Sequence, residues 1–345
     1  MSAHVRKLDF KHGCIELIHG SGGRASHQLF SELFLPEFTN PILALAHDSV
    51  VLPLPAGRVV VATDAHVVSP LFFPGGDIGC LAVNGTVNDL AMSGARPLYL
   101  TASFILEAGF ALADLRRIVR SMGDCARQAG ISIVAGDTKV VEQGKGDGVF
   151  ISTTGLGVVA DGIHIEPSRI QVGDRILVSG PLGDHGIAVL SQREHLDFAA
   201  DVVSDCAPLH ELVAAMMHVA PALHCLRDPT RGGLATVLNE LAQQAQLGMS
   251  IDEAAIPLQR PVRAACELLG LDPLYLASEG RLVAFCAPEV TPLLLEAMHQ
   301  HPLGRQAVCV GTVTDARPGS VELLTAFGGR RLLPWLAGDP LPRIC

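Results

Sequence analysis

Aromatic residues make up only 4% of this 345-residue chain, with a single tryptophan, and charged residues only 17%. Few aromatics set against 35 glycines point to close backbone packing and many turns. With 49% hydrophobic residues, so little charge excludes a disordered or fibrous chain. Lys and Arg total 25 against 35 Asp and Glu, a net charge of −10. That balance excludes the clustered positive charge of a sequence-independent grip on nucleic acid. The first twenty residues lack the apolar core of a signal peptide, and no run reaches the ~18–20 apolar residues that cross a bilayer. Cysteines number nine, odd and scattered, and never form Cys-x-x-Cys, so neither a disulfide framework nor a zinc knuckle is expected. The expectation is a reducing cytoplasm, no membrane, and Cys80, Cys125, Cys266 and Cys286 as small core residues. No Gly-x4-Gly-Lys-Ser/Thr loop is present, which excludes a P-loop ATPase.

Short apolar runs that end in Asp or Gly and lead into amphipathic stretches are abundant. Residues 59–63 end at Asp64, residues 131–135 end at Gly136-Asp137, and both predict buried strands. Between them Leu112, Leu115, Val119, Met122 and Ala126 recur at helical spacing, with Gly130 as the stop. Residues 150–154 and 155–159 continue the strand content. The composition shifts near Glu166-Pro167-Ser168, and a second unit opens with a strand at 175–179. Its best helix follows Arg231-Gly232-Gly233, and further strands cover 282–285 and 308–311. The pattern is α/β (α+β) and predicts a first domain over 1–165, a second over 170–335, and a tail over 336–345. Gly338, Pro340 and Pro342 preclude a helix in that tail, and its last seven residues can reach roughly 23–25 Å when extended.

The turn His19-Gly20-Ser21-Gly22-Gly23 lets backbone N–H groups converge on a phosphate, but it lacks the third glycine of a Rossmann fingerprint. Asp48, Asp64, Asp89 and Asp137 each follow an apolar or small-residue run. At strand ends they could converge on one rim and hold Mg²⁺ with nucleotide phosphates, or each could simply cap a helix or turn. Asn88 adds a neutral donor and Lys139 a cation, on the same side as Asp137 if the strand continues. Glu279, in a polar break before a buried-looking strand, is a candidate for proton handling with Lys139. His185, in Gly183-Asp184-His185-Gly186, receives no catalytic role. Cys345, at the very end of the tail, is too far toward the terminus for a prenylation box. A reactive thiol at the end of a mobile tail can visit two active sites.

These residues resemble one family along the whole chain, the HypE hydrogenase maturation factors, which are carbamoyl dehydratases. The likeness is carried by His19–Gly23, residues 70–79, residues 136–141, Val203-Ser204-Asp205-Cys206, Arg231-Gly232-Gly233, Glu279-Gly280, and the tail Pro342-Arg343-Ile344-Cys345. It implies the two-domain fold of aminoimidazole ribonucleotide synthetase, with first-domain strands of two chains forming a barrel-like core in a homodimer. By the resemblance ATP and Mg²⁺ sit near Asp48, Asp64, Asn88, Asp89 and Asp137, with Gly20, Ser21, Gly22 and Gly23 over the phosphates. Lys139 and Glu279 match positions tied to dehydration. A HypF carbamoyltransferase is expected to load Cys345, and ATP-dependent dehydration then leaves a thiocyanate. Its cyanide passes to iron on a HypC–HypD complex. The chain departs from the commoner pattern at His47, Ala65-His66, Ser69 and Ser278. The competing readings are a selenophosphate synthetase-like enzyme or small-molecule kinase of the same superfamily, and a non-catalytic nucleotide-binding scaffold.

Overall fold

The structure is a computed structural model that describes residues 7–46, 49–196, 202–336, 338, 341 and 343–345. The expectation at Asp48 and the departure at His47 lie outside the described residues.

Four strands build the first sheet: β1 (Arg58–His66), β2 (Arg96–Glu107), β3 (Ser132–Val141) and β4 (Val149–Val159), in spatial order β1-β4-β2-β3. All neighbours are antiparallel except β2 and β3. That parallel pair needs a crossover, and helix α2 (Leu112–Gln128) supplies it after α1 (Ile78–Met92). The predicted helical face is buried, with Leu112, Leu115, Val119 and Met122 at 0–2% exposure and Ala126 at 5%. In α1 nearly every residue is buried, because the helix lies between the sheet, α2 and the second half of the chain. Asp77 caps it, Oδ1 accepting from the N–H groups of Gly79 and Cys80. Gly79 permits the close helix crossing, since a Cβ there would lie 2.4 Å from the Ile118 carbonyl oxygen.

Two strands outrun their sequence-based ends. β1 continues through Asp64 to His66, and β3 continues through Asp137 and Lys139 to Val141. Residues 150–154 and 155–159 form one strand rather than two. Polar residues at these positions do not stop a strand whose neighbours still supply hydrogen-bond partners along its edge.

The second sheet comprises β5 (Arg175–Val178), β6 (Cys225–Arg227), β7 (Gly248–Asp252), β8 (Val283–Cys286), β9 (Val308–Thr314), β10 (Val321–Leu324) and β11 (Arg330–Leu332). Its seven strands lie in the order β11-β10-β7-β9-β5-β8-β6. Helices α3 (Asp184–Arg193), α4 (His210–Val219) and α5 (Gly233–Ala245) belong to this half. On α5, Leu234, Val237, Leu238 and Leu241 pack into a core with β5, β7 and β8, as their spacing predicts. No described helix is long and apolar enough to cross a membrane.

Candidate active site

Two regions of the molecule hold the residues with chemistry. The first is a cavity of about 410 Å³ beside β3. Its rim carries His19, Gly20 and Gly22 on one side and Asp137, Thr138 and Lys139 on the other. Its wall is apolar: Phe30, Phe34 and Phe38 come from the helical segment 23–38, Phe104 from β2 and Ile133 from β3. The Phe34 and Phe104 rings stand 4.9 Å apart. A Cβ at Gly20 would fall 2.4 Å from the Val140 nitrogen, so glycine is what lets the turn lie against β3. Gly22 and Gly23 have φ of +80° and +76°, with open space where a Cβ would stand. The Ser21 hydroxyl donates to the Leu17 carbonyl. Lys139 pairs with Asp137 at 2.8 Å, on the same side of β3 as the two-residue spacing requires. Hydrogen bonding from Lys139 is the largest cause holding the Asp137 carboxyl below its ordinary range. The apolar wall and polar rim suit a nucleotide, base inward and phosphates at the glycine turn. The wall was missed in the sequence, although Phe30, Phe34 and Phe38 recur every four residues in a chain poor in aromatics.

The second region is a carboxylate cluster between the two halves. Asp64, at the end of β1, faces α1, which carries Asp89; Asp228 follows β6, and Glu279 precedes β8. Glu279 is 3% exposed, and its Oε1 has no hydrogen-bond partner. Burial, and then Asp228, Asp205, Asp64 and Asp89, push its carboxyl well above the ordinary range. Burial, with Asp228 and Asp64 adding repulsion, pushes Asp89 up to about 7. The Glu279 backbone is held tightly, its N–H donating to Asp205 Oδ1 at 3.0 Å and its carbonyl accepting from Asn88 Nδ2 at 3.1 Å. Asn88 was expected to contact nucleotide. Instead it is 1% exposed and bonded inside the protein, Nδ2 also donating to Ala207 and Oδ1 accepting from Leu209. Both amide hydrogens are thus engaged within the protein, one of them on the Glu279 carbonyl.

Sheet register decides which of these groups meet. Asp64 pairs with Thr153, Thr153 with Ala102 and Ala102 with Gly136, so Asp64 shares a face with Gly136 and not with Asp137. Asp137 pairs with Ser103 on the opposite face. Three strand spacings of ~4.8 Å also put roughly 14 Å between β1 and β3. One chain therefore brings Asp64, Asp89 and Glu279 together and keeps Asp137 and Lys139 apart from them. Asp89 lies within a helix and not at a strand end. Among the described residues, no three His, Cys, Asp or Glu side chains are close enough to hold a metal ion together. An unpartnered buried Glu279 oxygen amid Asp64, Asp89 and Asp228 still fits a cation, because Mg²⁺ takes one or two carboxylates alongside water and phosphate.

The tail, whose resting place the sequence left open, is seated at the end of β1. Val67 N–H donates to the Cys345 carbonyl oxygen at 3.2 Å and Ser69 N–H to the Arg343 carbonyl at 3.0 Å. The tail thus runs alongside residues 67–69 without continuing the sheet, and Arg343 turns through a φ of +57°. Arg343 bonds the Val67 carbonyl and pairs with Asp147 at 2.8 Å, while Arg193 donates to the carbonyls of Ser69 and Arg343. Leu341 and Ile344 are 8% and 5% exposed, bordering a second cavity of about 190 Å³ with Arg231, Gly232 and Tyr275. Cys345, half-buried, thus lies against Val67, the residue that follows the end of β1.

Residues 46–159 match the family described as AIR synthase related protein, N-terminal domain, and residues 171–323 match its C-terminal domain. The carbamoyl dehydratase HypE of Azotobacter vinelandii is 59% identical over 341 residues, covering 99% of this chain and 100% of that protein. A crystal structure of the hydrogenase maturation protein HypE in complex with ATP superposes with a TM-score of 0.93 at 50% identity, covering 95% of this chain and 99% of that one. The HypE chain of a HypE–HypF complex superposes at 0.79 with 44% identity, covering 89% and 99%. With two AIR synthase-like halves, a nucleotide-shaped cavity and relatives this close over the full length, the chain belongs to the HypE family of carbamoyl dehydratases, the hydrogenase maturation proteins.

Proposed function

We propose that Cys345 is the residue on which this dehydratase works. The observation that carries the reading is the tail seated by its backbone just past β1, the strand that carries Asp64. A partner transferase of the HypF kind loads the thiol with a carbamoyl group. ATP, held in the cavity beside β3, phosphorylates the amide oxygen. The C–O bond breaks as phosphate leaves with that oxygen, two N–H protons are lost, and S–C≡N remains. Atoms balance as one carbamoyl-cysteine and ATP giving thiocyanate, ADP and phosphate. Asp64 and Asp89 of one chain and Asp48 and Asp137 of a second would hold Mg²⁺, which would supply charge neutralisation when bound.

The chain's own residues do the rest. Phe30, Phe34 and Phe38 take the base, and Gly20, Ser21, Gly22 and Gly23 lie over the phosphates. Glu279 takes one N–H proton, its raised proton affinity making it a strong base once ionised, and the second leaves with the phosphate. Lys139 stabilises the amide oxygen as charge develops. Because Lys139 and Glu279 lie apart in one chain, the working unit is a homodimer. Val59, Val61 and Ile105, 51%, 61% and 45% exposed on the uncovered sheet face, supply the apolar surface for it. The cyanide acceptor is a HypC–HypD complex. The domains divide at 1–165 and 170–335, the tail is 336–345, and the setting is the cytoplasm.

Intact mass after incubation with a HypF transferase, its carbamoyl donor and ATP tests this. The wild-type chain gains a carbamoyl group and then loses one water, and Cys345→Ala gains nothing. A carbamoyl mass on Cys345→Ala would remove Cys345 from the reaction.

A further inference from the structure

His185 is fully buried at the start of α3, yet it touches neither the nucleotide cavity nor the carboxylate cluster. Its Nε2 lies 2.8 Å from the Ile344 carbonyl, the peptide that leads into Cys345. Its Nδ1 lies 2.8 Å from the Ser204 hydroxyl. The tautomer follows from the partners. A carbonyl only accepts, so Nε2 carries the hydrogen. Burial holds the ring below its ordinary pKa and therefore neutral, so Nδ1 is bare and accepts from Ser204 O–H. Ser204 Oγ in turn accepts from the Cys206 N–H at 3.1 Å. This buried chain runs in one direction and ends on the tail.

The same loop also holds Glu279. Asp205, next to Ser204, accepts from the Glu279 N–H, and the Cβ of any residue replacing Gly280 would stand 1.8 Å from the Asp205 carbonyl oxygen. On the other side, Ser278 Oγ accepts from the N–H of Gly183, the residue capping the helix that carries His185. A closed circuit results: Ser278 and Glu279 brace the His185 helix and the 204–206 loop, and those two meet again through His185 and Ser204.

We propose that His185 and Ser204 are positioning residues that latch the tail, registering Cys345 against Glu279 for dehydration and releasing it for loading. This rests on the reading of Cys345 given above. Losing the bond leaves the buried Ile344 carbonyl unpaired, which should shift the tail between seated and released states about tenfold.

The test uses the full-length protein and N-ethylmaleimide, with alkylation at Cys345 followed by mass spectrometry of the C-terminal peptide. Ser204→Ala and His185→Asn should alkylate Cys345 about tenfold faster than wild type, accept carbamoyl faster and form thiocyanate more slowly. His185→Gln, whose amide can still donate to Ile344, should stay near wild type. Melting temperatures identify any variant that fails to fold, and Ser204→Ala, at the rim of the core, keeps the test open if the histidine variants do. Unchanged alkylation in folded Ser204→Ala and His185→Asn overturns the latch. So does equal behaviour of Gln and Asn at position 185, or faster alkylation with undiminished thiocyanate formation. A wild-type chain that never accepts carbamoyl would instead overturn the role of Cys345, while alkylation would still read the seating of the tail.

Discussion

At the scale of single residues, the carboxylate cluster is a stored conflict. Asp89 is pushed up to about 7 and Asp184 to about 7, both first by burial, and Glu279 is raised further in the same direction. Groups whose folded pKa exceeds the unfolded value contribute stability below the unfolded pKa, and that contribution is lost as pH rises through the folded one. For Asp89 the window runs from about 4 to about 7. The buried, neutral His66 and His185 act in the opposite sense, losing stability as pH falls below the ordinary histidine value. The clean measurement is therefore a difference. Without ligand, Asp89→Asn should be more stable than wild type by roughly 1–2 kcal/mol at pH 8, with the gap closing toward pH 5. Urea midpoints across that range read it directly. A gap that does not change with pH would mean Asp89 is ionised throughout. Asp89 was legible in the sequence as a candidate, but its partner Asp228 was not, because it lies 139 positions further along the chain and only folding makes them neighbours.

At the scale of elements, the helical segment 23–38 and the tail are the two pieces whose function comes from where they lean. The segment closes the cavity beside β3 with Phe30, Phe34 and Phe38. Phe30→Ala removes apolar contact with a bound base but little of the core, so ATP affinity should fall about 5- to 30-fold with a melting temperature near wild type. Calorimetric titration with ATP checks this; unchanged affinity would place the base elsewhere. The tail is received by the backbone N–H groups of Val67 and Ser69, with Arg343 adding side-chain bonds to Val67 and Asp147. Sequence reasoning singled out the terminal cysteine and the reach of the tail, since Gly338, Pro340 and Pro342 forbid a helix. It could not find the dock, because the backbone partners that receive a strand carry no residue signature. Strand ends were misplaced for a related reason: Asp64 and Asp137 look like stops, yet neighbouring strands continue to pair with them.

For the whole molecule, register and face outweigh residue identity. Asp64 and Asp137 look equivalent in the sequence, yet they occupy opposite faces of one sheet, three strands apart. If a second copy completes the site, two defects on different chains should compensate. Lys139→Ala and Glu279→Ala each alone should accept carbamoyl and bind ATP, yet form thiocyanate at least 100-fold more slowly. Purified as mixed dimers, they should recover one wild-type site per dimer, about half the activity of the wild-type dimer, if Lys139 and Glu279 of different chains meet. No recovery in purified mixed dimers would mean that each chain supplies both groups itself. The sequence by itself determined the fold class, both AIR synthase-like halves, the glycine turn and the membership of the HypE family. Those features are local in the chain: periodicity, turn chemistry and motif spacing are written residue by residue. Only the tertiary structure decided that Asn88 braces Glu279, that His185 grips the tail, and that the acidic residues divide between two faces. Those are long-range pairings set by sheet register and by the close approach of two halves of the chain, and neither leaves a mark in any one segment.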